Sequence, residues 1–186
     1  GKKVLFNYSI EEISKYIDWT FFFHAWRLSG KYPAIMEDPI KGVEAKKLFN
    51  DAQLMLKNII DKRLLQANGV FAFYHANSTG DDVEVYADEN KSTIISKFHF
   101  LRNQEIKEKN VPNLSLADFI SPKESGINDY IGCFAVTAGV GIEKTVKFYE
   151  ENNDDYNAIM IKVLADRLAE AFAELLHHKV RTEYWG

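Results

Sequence analysis

The sequence predicts an α+β fold in which helices flank an antiparallel β-sheet. Three observations lead to this prediction. Apolar residues recur at helical spacing near both ends of the 186-residue chain, they alternate with a period of two through its middle, and short turn-forming stretches join the alternating segments. Strands joined by short turns, with helices grouped before and after them, are typical of α+β proteins.

The first third of the chain predicts three helices. Ser9 and Glu12 have the spacing of a capping box, and a short helix follows them. An aromatic helix begins after Asp18 and ends before Gly30. A longer helix over residues 43–60 carries a continuous apolar stripe.

The middle of the chain predicts four strands and a long loop. The strands are expected over residues 70–74, 83–87, 93–100 and 130–137. Turns are expected at Asn68 and Gly69 and over residues 77–82. Residues 103–128 are polar and should be mostly loop, with a short helical turn over residues 116–119.

The chain closes with two predicted helices, over residues 142–150 and 155–184. We expect the second helix to pack on the sheet through an apolar stripe. Its members are Met160, Leu164, Leu168 and Leu175. No repeat, low-complexity tract or Pro/Gly/Ser linker divides the chain, so a single domain over residues 1–186 is expected.

Composition excludes several classes of protein. The net charge of -4 gives no general attraction to nucleic acid or to an anionic membrane surface. No long uncharged apolar run or leader sequence is visible, so no membrane association is expected. The single cysteine, Cys133, cannot form an intrachain disulfide, which favours a reducing compartment such as the cytoplasm.

Standard catalytic and metal-binding motifs are absent from the sequence. We find no GxGxxG, Walker A, HExxH or paired CxxC motif. Cys133 lies inside an apolar strand and is expected to be a structural thiol. His24, His75 and His99 lack metal-ligand spacing, so no metal site is expected.

Three carboxylates deserve comparison with their structural alternatives. Asp18 precedes a helix and suits a capping role. Glu170 borders the apolar stripe of the last helix, where it can pair with Arg167 or Lys179. Asp166 can pair in the same way with Lys162 or with the neighbours of Glu170. Two carboxylates beside aromatic rings would also suit a small cationic ligand. The residues alone leave both interpretations open.

A set of short segments carries a family resemblance. They are YIDWT (16–20), LSGKYP (28–33), GVEA (42–45), GDDVEVY (80–86), LADF (116–119), DYIG (129–132), DDYNAIM (154–160), LADRLAEAFAE (164–174) and YWG (184–186). In this order, across almost the whole chain, they resemble the activation domain of cobalamin-dependent methionine synthase.

The resemblance implies a function in methionine biosynthesis. The family's enzyme is a cytoplasmic methyltransferase that passes a methyl group from methyltetrahydrofolate through cobalamin to homocysteine. Its activation domain binds S-adenosylmethionine and docks on the cobalamin-binding domain of the same polypeptide. Cob(II)alamin is then reductively methylated, with an electron from a flavodoxin-type donor.

The resemblance also implies roles for the three carboxylates. Asp18 and Glu170 match the family's S-adenosylmethionine contacts, and their charge suits a ligand that carries an ammonium and a sulfonium. Asp166 matches the residue that receives a histidine of the cobalamin-binding domain. No catalytic residue or metal ligand is implied within this chain.

The chain departs from the family pattern in two places. Phe21 stands where the family usually has a proline, a change that a first helical turn tolerates. The family's Arg-Pro-Ala-Pro-Gly-Tyr-Pro segment, which follows Tyr-Trp-Gly, is not in this sequence. We therefore expect a C-terminally truncated domain with an incomplete ligand site and no catalysis of its own. The alternative is a docking module for the cobalamin-binding domain and flavodoxin that binds no ligand itself.

Overall fold

The computed structural model describes residues 1–185 and contains five α-helices and five β-strands over that range. The helices are α1 (Ile10–Ser14), α2 (Trp19–Ala25), α3 (Gly42–Asp61), α4 (Ile142–Glu151) and α5 (Asp155–Lys179). The strands are β1 (Lys3–Tyr8), β2 (Gln66–Thr79), β3 (Asp82–Tyr86), β4 (Ile94–His99) and β5 (Asp129–Val140). Short 3-10 segments lie at Ala34–Glu37, Leu116–Phe119 and Lys123–Ser125, and a π-helical turn over Val180–Tyr184 extends α5.

The strands form one five-stranded antiparallel sheet, which confirms the predicted fold class. Its order is β1-β2-β3-β4, and β5 pairs with β2. The hairpin between β2 and β3 closes with Thr79 opposite Asp82. Gly80 supplies its turn, because its φ of 65° lies in the left-handed region that glycine adopts without a steric penalty.

The chain divides into two compact units. The helical unit comprises Val4–Gly69 and residues 135–185, and the hairpin unit comprises Gly1–Lys3 and Val70–Phe134. A large apolar cluster fills the helical unit and draws on α1, α2, α3, α4 and α5. The core of the hairpin unit is smaller and is built on Ala76, Val83 and Ala117.

Helix α5 packs on the sheet inside the helical unit, as predicted. Its apolar stripe is buried at the positions Met160, Leu164, Leu168 and Leu175. Phe172 stacks on Tyr8 of β1 with 5.0 Å between ring centroids. At Gly69 of β2 a Cβ atom would come within 3.1 Å of Phe172 Cζ and 3.3 Å of Val136 Cγ1. The absence of a side chain at Gly69 therefore lets the helix approach the strand.

A partly exposed network of hydrogen bonds centres on Arg102 in the hairpin unit. Arg102 donates from Nη1 to Asp118 Oδ2 at 2.7 Å and from Nε to Asp81 Oδ1 at 3.0 Å. Asp118 also accepts the N–H of Ser115 at 2.8 Å, which completes a capping box on the 3-10 turn Leu116–Phe119. The long loop that follows β4 is thus attached to the β2–β3 turn by one guanidinium.

Most of the predicted elements are confirmed, and three differ from the prediction. Strand β1 was not predicted. The prediction of a turn at Asn68 and Gly69 is wrong, since both residues lie inside β2. Asn68 instead uses its side-chain oxygen to accept the N–H of Asn7 at 2.9 Å. The α-helical part of the last helix ends at Lys179 rather than near residue 184.

Candidate functional site

Asp18 is the N-cap of α2. Its backbone is extended (φ -78°, ψ 100°), and Oδ1 accepts the N–H of Thr20 at 2.8 Å. The side chain is exposed, and Oδ2 has no hydrogen-bond partner among residues 1–185. The capping interpretation of Asp18 is therefore confirmed, and it leaves one carboxylate oxygen for an external group.

Aromatic side chains lie next to Asp18. Trp19 is half-buried and packs edge-on against Phe22 and Phe49, with centroid distances of 5.3 and 4.8 Å. Phe22 is 0% exposed, so it cannot cover a ligand. Tyr32 can, because it is 38% exposed and stacks on Phe49 at 5.5 Å.

Tyr32 was not singled out from the sequence. Its N–H donates to Thr20 Oγ1 at 3.2 Å, which attaches the loop after α2 to the first turn of that helix. The link spans twelve residues. A tyrosine beside a proline offers no sequence signal for such a placement.

Asp166 and Glu170 lie on the exposed strip of α5, with 72% and 60% of their side chains accessible. Arg167 donates to both, from Nη2 to Asp166 Oδ2 and from Nη1 to Glu170 Oε2, each at 2.6 Å. This confirms the predicted pairing of Glu170 with Arg167. Lys179, the other partner considered, contacts Glu12 and Glu183 instead.

Two aromatic contacts relate the ends of α2 to the ends of α5 in the helical unit. Trp26, just after α2, packs on Tyr156 at the start of α5, with 5.3 Å between centroids. Tyr16, just before α2, lies 6.1 Å from the ring of His178 near the end of α5. Asp18 therefore lies toward the C-terminal half of α5, the half that carries Glu170.

The described cavities lie elsewhere in the helical unit. One, of about 200 Å³, opens between Trp26, Leu48 and Tyr156. Another, of about 340 Å³, lies between α1 and α3. Asp18, Asp166 and Glu170 line neither of these two cavities.

Two further groups complete the description of this unit's chemistry. Burial, together with a 2.8 Å hydrogen bond to Asp51, raises the pKa of Tyr156 to about 12, so this phenol stays neutral. The hydrogen bond with Tyr8 raises the pKa of Lys179, so this ammonium stays charged beside Glu12.

Within residues 1–185 no group of three or more His, Cys, Asp and Glu side chains is arranged to hold a metal ion. None of the described helices combines the length and apolar character that a membrane span requires.

Comparisons with known proteins agree on one family. A family model described as "Vitamin B12 dependent methionine synthase, activation domain" matches residues 9–186. A crystal structure of the MetH reactivation domain bound to AdoHcy matches with a TM-score of 0.93 and 49% sequence identity. The match covers 100% of this chain and 57% of that one. The present chain thus spans somewhat more than half the length of the structure it resembles.

Proposed function

Because the chain belongs to the activation-domain family of vitamin B12-dependent methionine synthase, we propose that it is the part of that enzyme that binds S-adenosylmethionine and supports reactivation. The observation that carries this proposal is the match over the whole chain to a reactivation domain whose structure contains AdoHcy. AdoHcy is S-adenosylmethionine that has lost its transferable methyl group, so its sulfur is a neutral thioether instead of a positively charged sulfonium. A site that holds one therefore has most of the contacts needed for the other.

We propose that Asp18 and Glu170 contact the ligand. Asp18 Oδ2 and Glu170 Oε1 have no hydrogen-bond partner among the described residues, and both side chains are exposed. Carboxylate oxygens of this kind suit the ammonium and sulfonium of S-adenosylmethionine. Tyr32, attached to the first turn of α2 through Thr20, supplies an exposed ring whose negative face suits a cation.

Asp166 is proposed to serve a different partner. Its carboxylate is the most exposed member of the group on α5 and points away from the core, as a contact to another domain requires. We propose that it receives a histidine of the cobalamin-binding domain when that domain docks. Bound cobalamin supplies the methyl-accepting centre, and a flavodoxin-type protein supplies the electron. This chain contributes binding and orientation rather than acid–base chemistry.

A docking module without ligand binding is the second candidate. It is favoured by the finding that Glu170 and Asp166 are both already paired with Arg167, and that the proposed ligand residues line neither described cavity. On this hypothesis the exposed strip of α5 serves only a protein partner. The two candidates differ in whether S-adenosylmethionine binds at all.

Calorimetry with S-adenosylmethionine separates them. The protein should be tested in a form as long as the matched crystal structure, because the present chain covers 57% of it. We expect Asp18→Asn and Glu170→Gln each to weaken binding by about 1–3 kcal/mol, or roughly 5- to 150-fold. Glu174→Gln, one turn further along α5, is the matched control and should bind normally.

Two results would count against ligand binding at this site. One is an undetectable affinity in the long form, which favours the docking module. The other is normal affinity in both variants, which places the ligand elsewhere. Adding the 186-residue chain to the comparison tests the expected incompleteness of its site. We expect it to bind more weakly than the long form by about 2–5 kcal/mol.

A further inference from the structure

Arg167 joins the two proposed functional carboxylates of α5. Its Nη2 donates to Asp166 Oδ2 and its Nη1 to Glu170 Oε2, both at 2.6 Å. Asp166 and Glu170 lie one helical turn apart, and each can influence the other through Arg167. The guanidinium lies between them, and we call these three residues the Arg167 triad.

The cation of the triad is buried, whereas its two partners are exposed. The side chain of Arg167 is only 12% exposed, whereas 72% of Asp166 and 60% of Glu170 are accessible. Its Nε is buried and has no hydrogen-bond partner among the described residues. The end of the guanidinium is therefore held chiefly by the two carboxylates. A change at one carboxylate alters how strongly the guanidinium interacts with the other.

We propose that Arg167 is a positioning residue that couples ligand binding at Glu170 to domain docking at Asp166, an inference that rests on the proposed function. One guanidinium has two anionic partners. When Asp166 binds an incoming imidazole, Arg167 loses one of its two partners and interacts more strongly with Glu170. It then competes with the cationic ligand for the Glu170 carboxylate. When the ligand draws on Glu170, Arg167 attracts Asp166 more strongly.

The coupling is therefore negative and reciprocal. The ligand and the docked domain can be bound together, but each weakens the other through the shared cation. This suits a module that has to engage for one methyl transfer and then release.

A double-mutant cycle on S-adenosylmethionine affinity tests the proposal. The protein is used in a form as long as the matched crystal structure. In it, Asp166→Asn should weaken S-adenosylmethionine binding about threefold or more, because Arg167 without the Asp166 carboxylate interacts more strongly with Glu170. In an Arg167→Met background the same Asp166→Asn change should alter affinity by less than about 1.5-fold. Arg167→Lys serves as the second background, since lysine keeps the charge and loses the fork that holds both carboxylates.

Lys162→Met is the matched control background. Lys162 lies on α5 and is paired with Glu150 at 3.0 Å, outside the triad. The effect of Asp166→Asn should persist in it. An equal effect of Asp166→Asn in the wild-type and Arg167→Met backgrounds would overturn the proposal, as would no effect in either. Failure of the wild-type protein to bind S-adenosylmethionine is a distinct result, since it removes the proposed function on which the coupling rests.

Discussion

At the scale of single residues, Asp18 combines two roles in one carboxylate. Oδ1 caps α2 through the N–H of Thr20, and Oδ2 remains exposed for the proposed ligand. Asparagine caps helices about as well as aspartate, whereas alanine does not. The two roles of Asp18 can therefore be separated by two substitutions at the same position.

We expect Asp18→Ala to lower the free energy of unfolding by about 1 kcal/mol and Asp18→Asn to change it by only a few tenths. Both should weaken S-adenosylmethionine binding, because both remove the charge. Urea unfolding of the two variants measures the first effect, and calorimetry measures the second. Equal destabilisation by both variants would mean that the charge itself, rather than the capping bond, stabilises α2.

Asp118 gives a second residue-scale prediction, on pH. The hydrogen bond from Arg102, with that from the N–H of Ser115, lowers the pKa of Asp118 from 3.8 to about 2. A carboxyl group with a lowered pKa stabilises the fold above its unfolded pKa, and this contribution is lost as the pH falls through the folded pKa. Asp118→Asn should therefore lower the Tm at pH 7, and the difference from wild type should shrink as the pH falls from about 4 to about 2.

Thermal unfolding between pH 7 and pH 2 measures this difference. Glu124→Gln, an exposed carboxylate of the same unit, is the control and should leave the Tm unchanged at neutral pH. A Tm difference for Asp118→Asn that stays constant across the range would contradict a role for its ionised form.

At the scale of elements, the contact between α5 and the sheet depends on small residues in the strands. Gly69 of β2 faces the Phe172 ring at a distance that leaves no room for a side chain, since a Cβ would lie 3.1 Å from Cζ. Gly139 of β5 faces the same helix more loosely, because its Cβ would meet Ala165 Cβ at 3.6 Å, an ordinary contact. Substitutions at these two glycines are therefore expected to have opposite effects on stability.

Gly69→Val should destabilise the protein by about 1–3 kcal/mol, because the added atoms must displace Phe172 and Val136. Gly139→Ala should be neutral or stabilise by up to about 1 kcal/mol, because it lowers the entropy of the unfolded chain without a clash. Chemical denaturation of both variants measures these changes. Tolerance of valine at Gly69 would show that α5 is not seated closely on β2.

At the scale of the whole molecule, the two units have unequal cores. The helical unit buries a large cluster that includes Phe172, Leu164 and Leu168, each fully buried. The hairpin unit centres on three small or medium side chains, and every residue of β4 is exposed. Because local stability follows the number of buried apolar contacts, the hairpin unit should open at a lower free energy.

Native-state hydrogen exchange measures this difference directly. Amides of β4 should exchange through openings well below the global free energy of unfolding, and amides in the middle of α5 should exchange only near it. Equal exchange free energies in β4 and α5 would show instead that the chain unfolds as one cooperative unit.

The local part of this fold could be read from the sequence. Ser9, Asp18 and Asp154 cap α1, α2 and α5, and each bonds a backbone N–H two or three residues away. Such interactions depend only on neighbours in the chain, as does the apolar periodicity of the last helix. The family resemblance came from short segments in a fixed order, and the match over residues 9–186 confirms it. The roles of Asp18, Glu170 and Asp166 stay predictions.

Only the tertiary structure decided the contacts that join distant parts of the chain. Asn68 lies in a strand rather than a turn, and its side chain accepts a hydrogen bond from Asn7, 61 residues away. Phe22 is buried and Tyr32 is exposed because of how their elements pack, which helical spacing does not specify. Arg167 could be paired with Glu170 from the sequence, but its burial, which makes it a shared partner of two exposed carboxylates, follows from the packing of α5. Burial depends on the whole fold, and pattern within one helix cannot supply it.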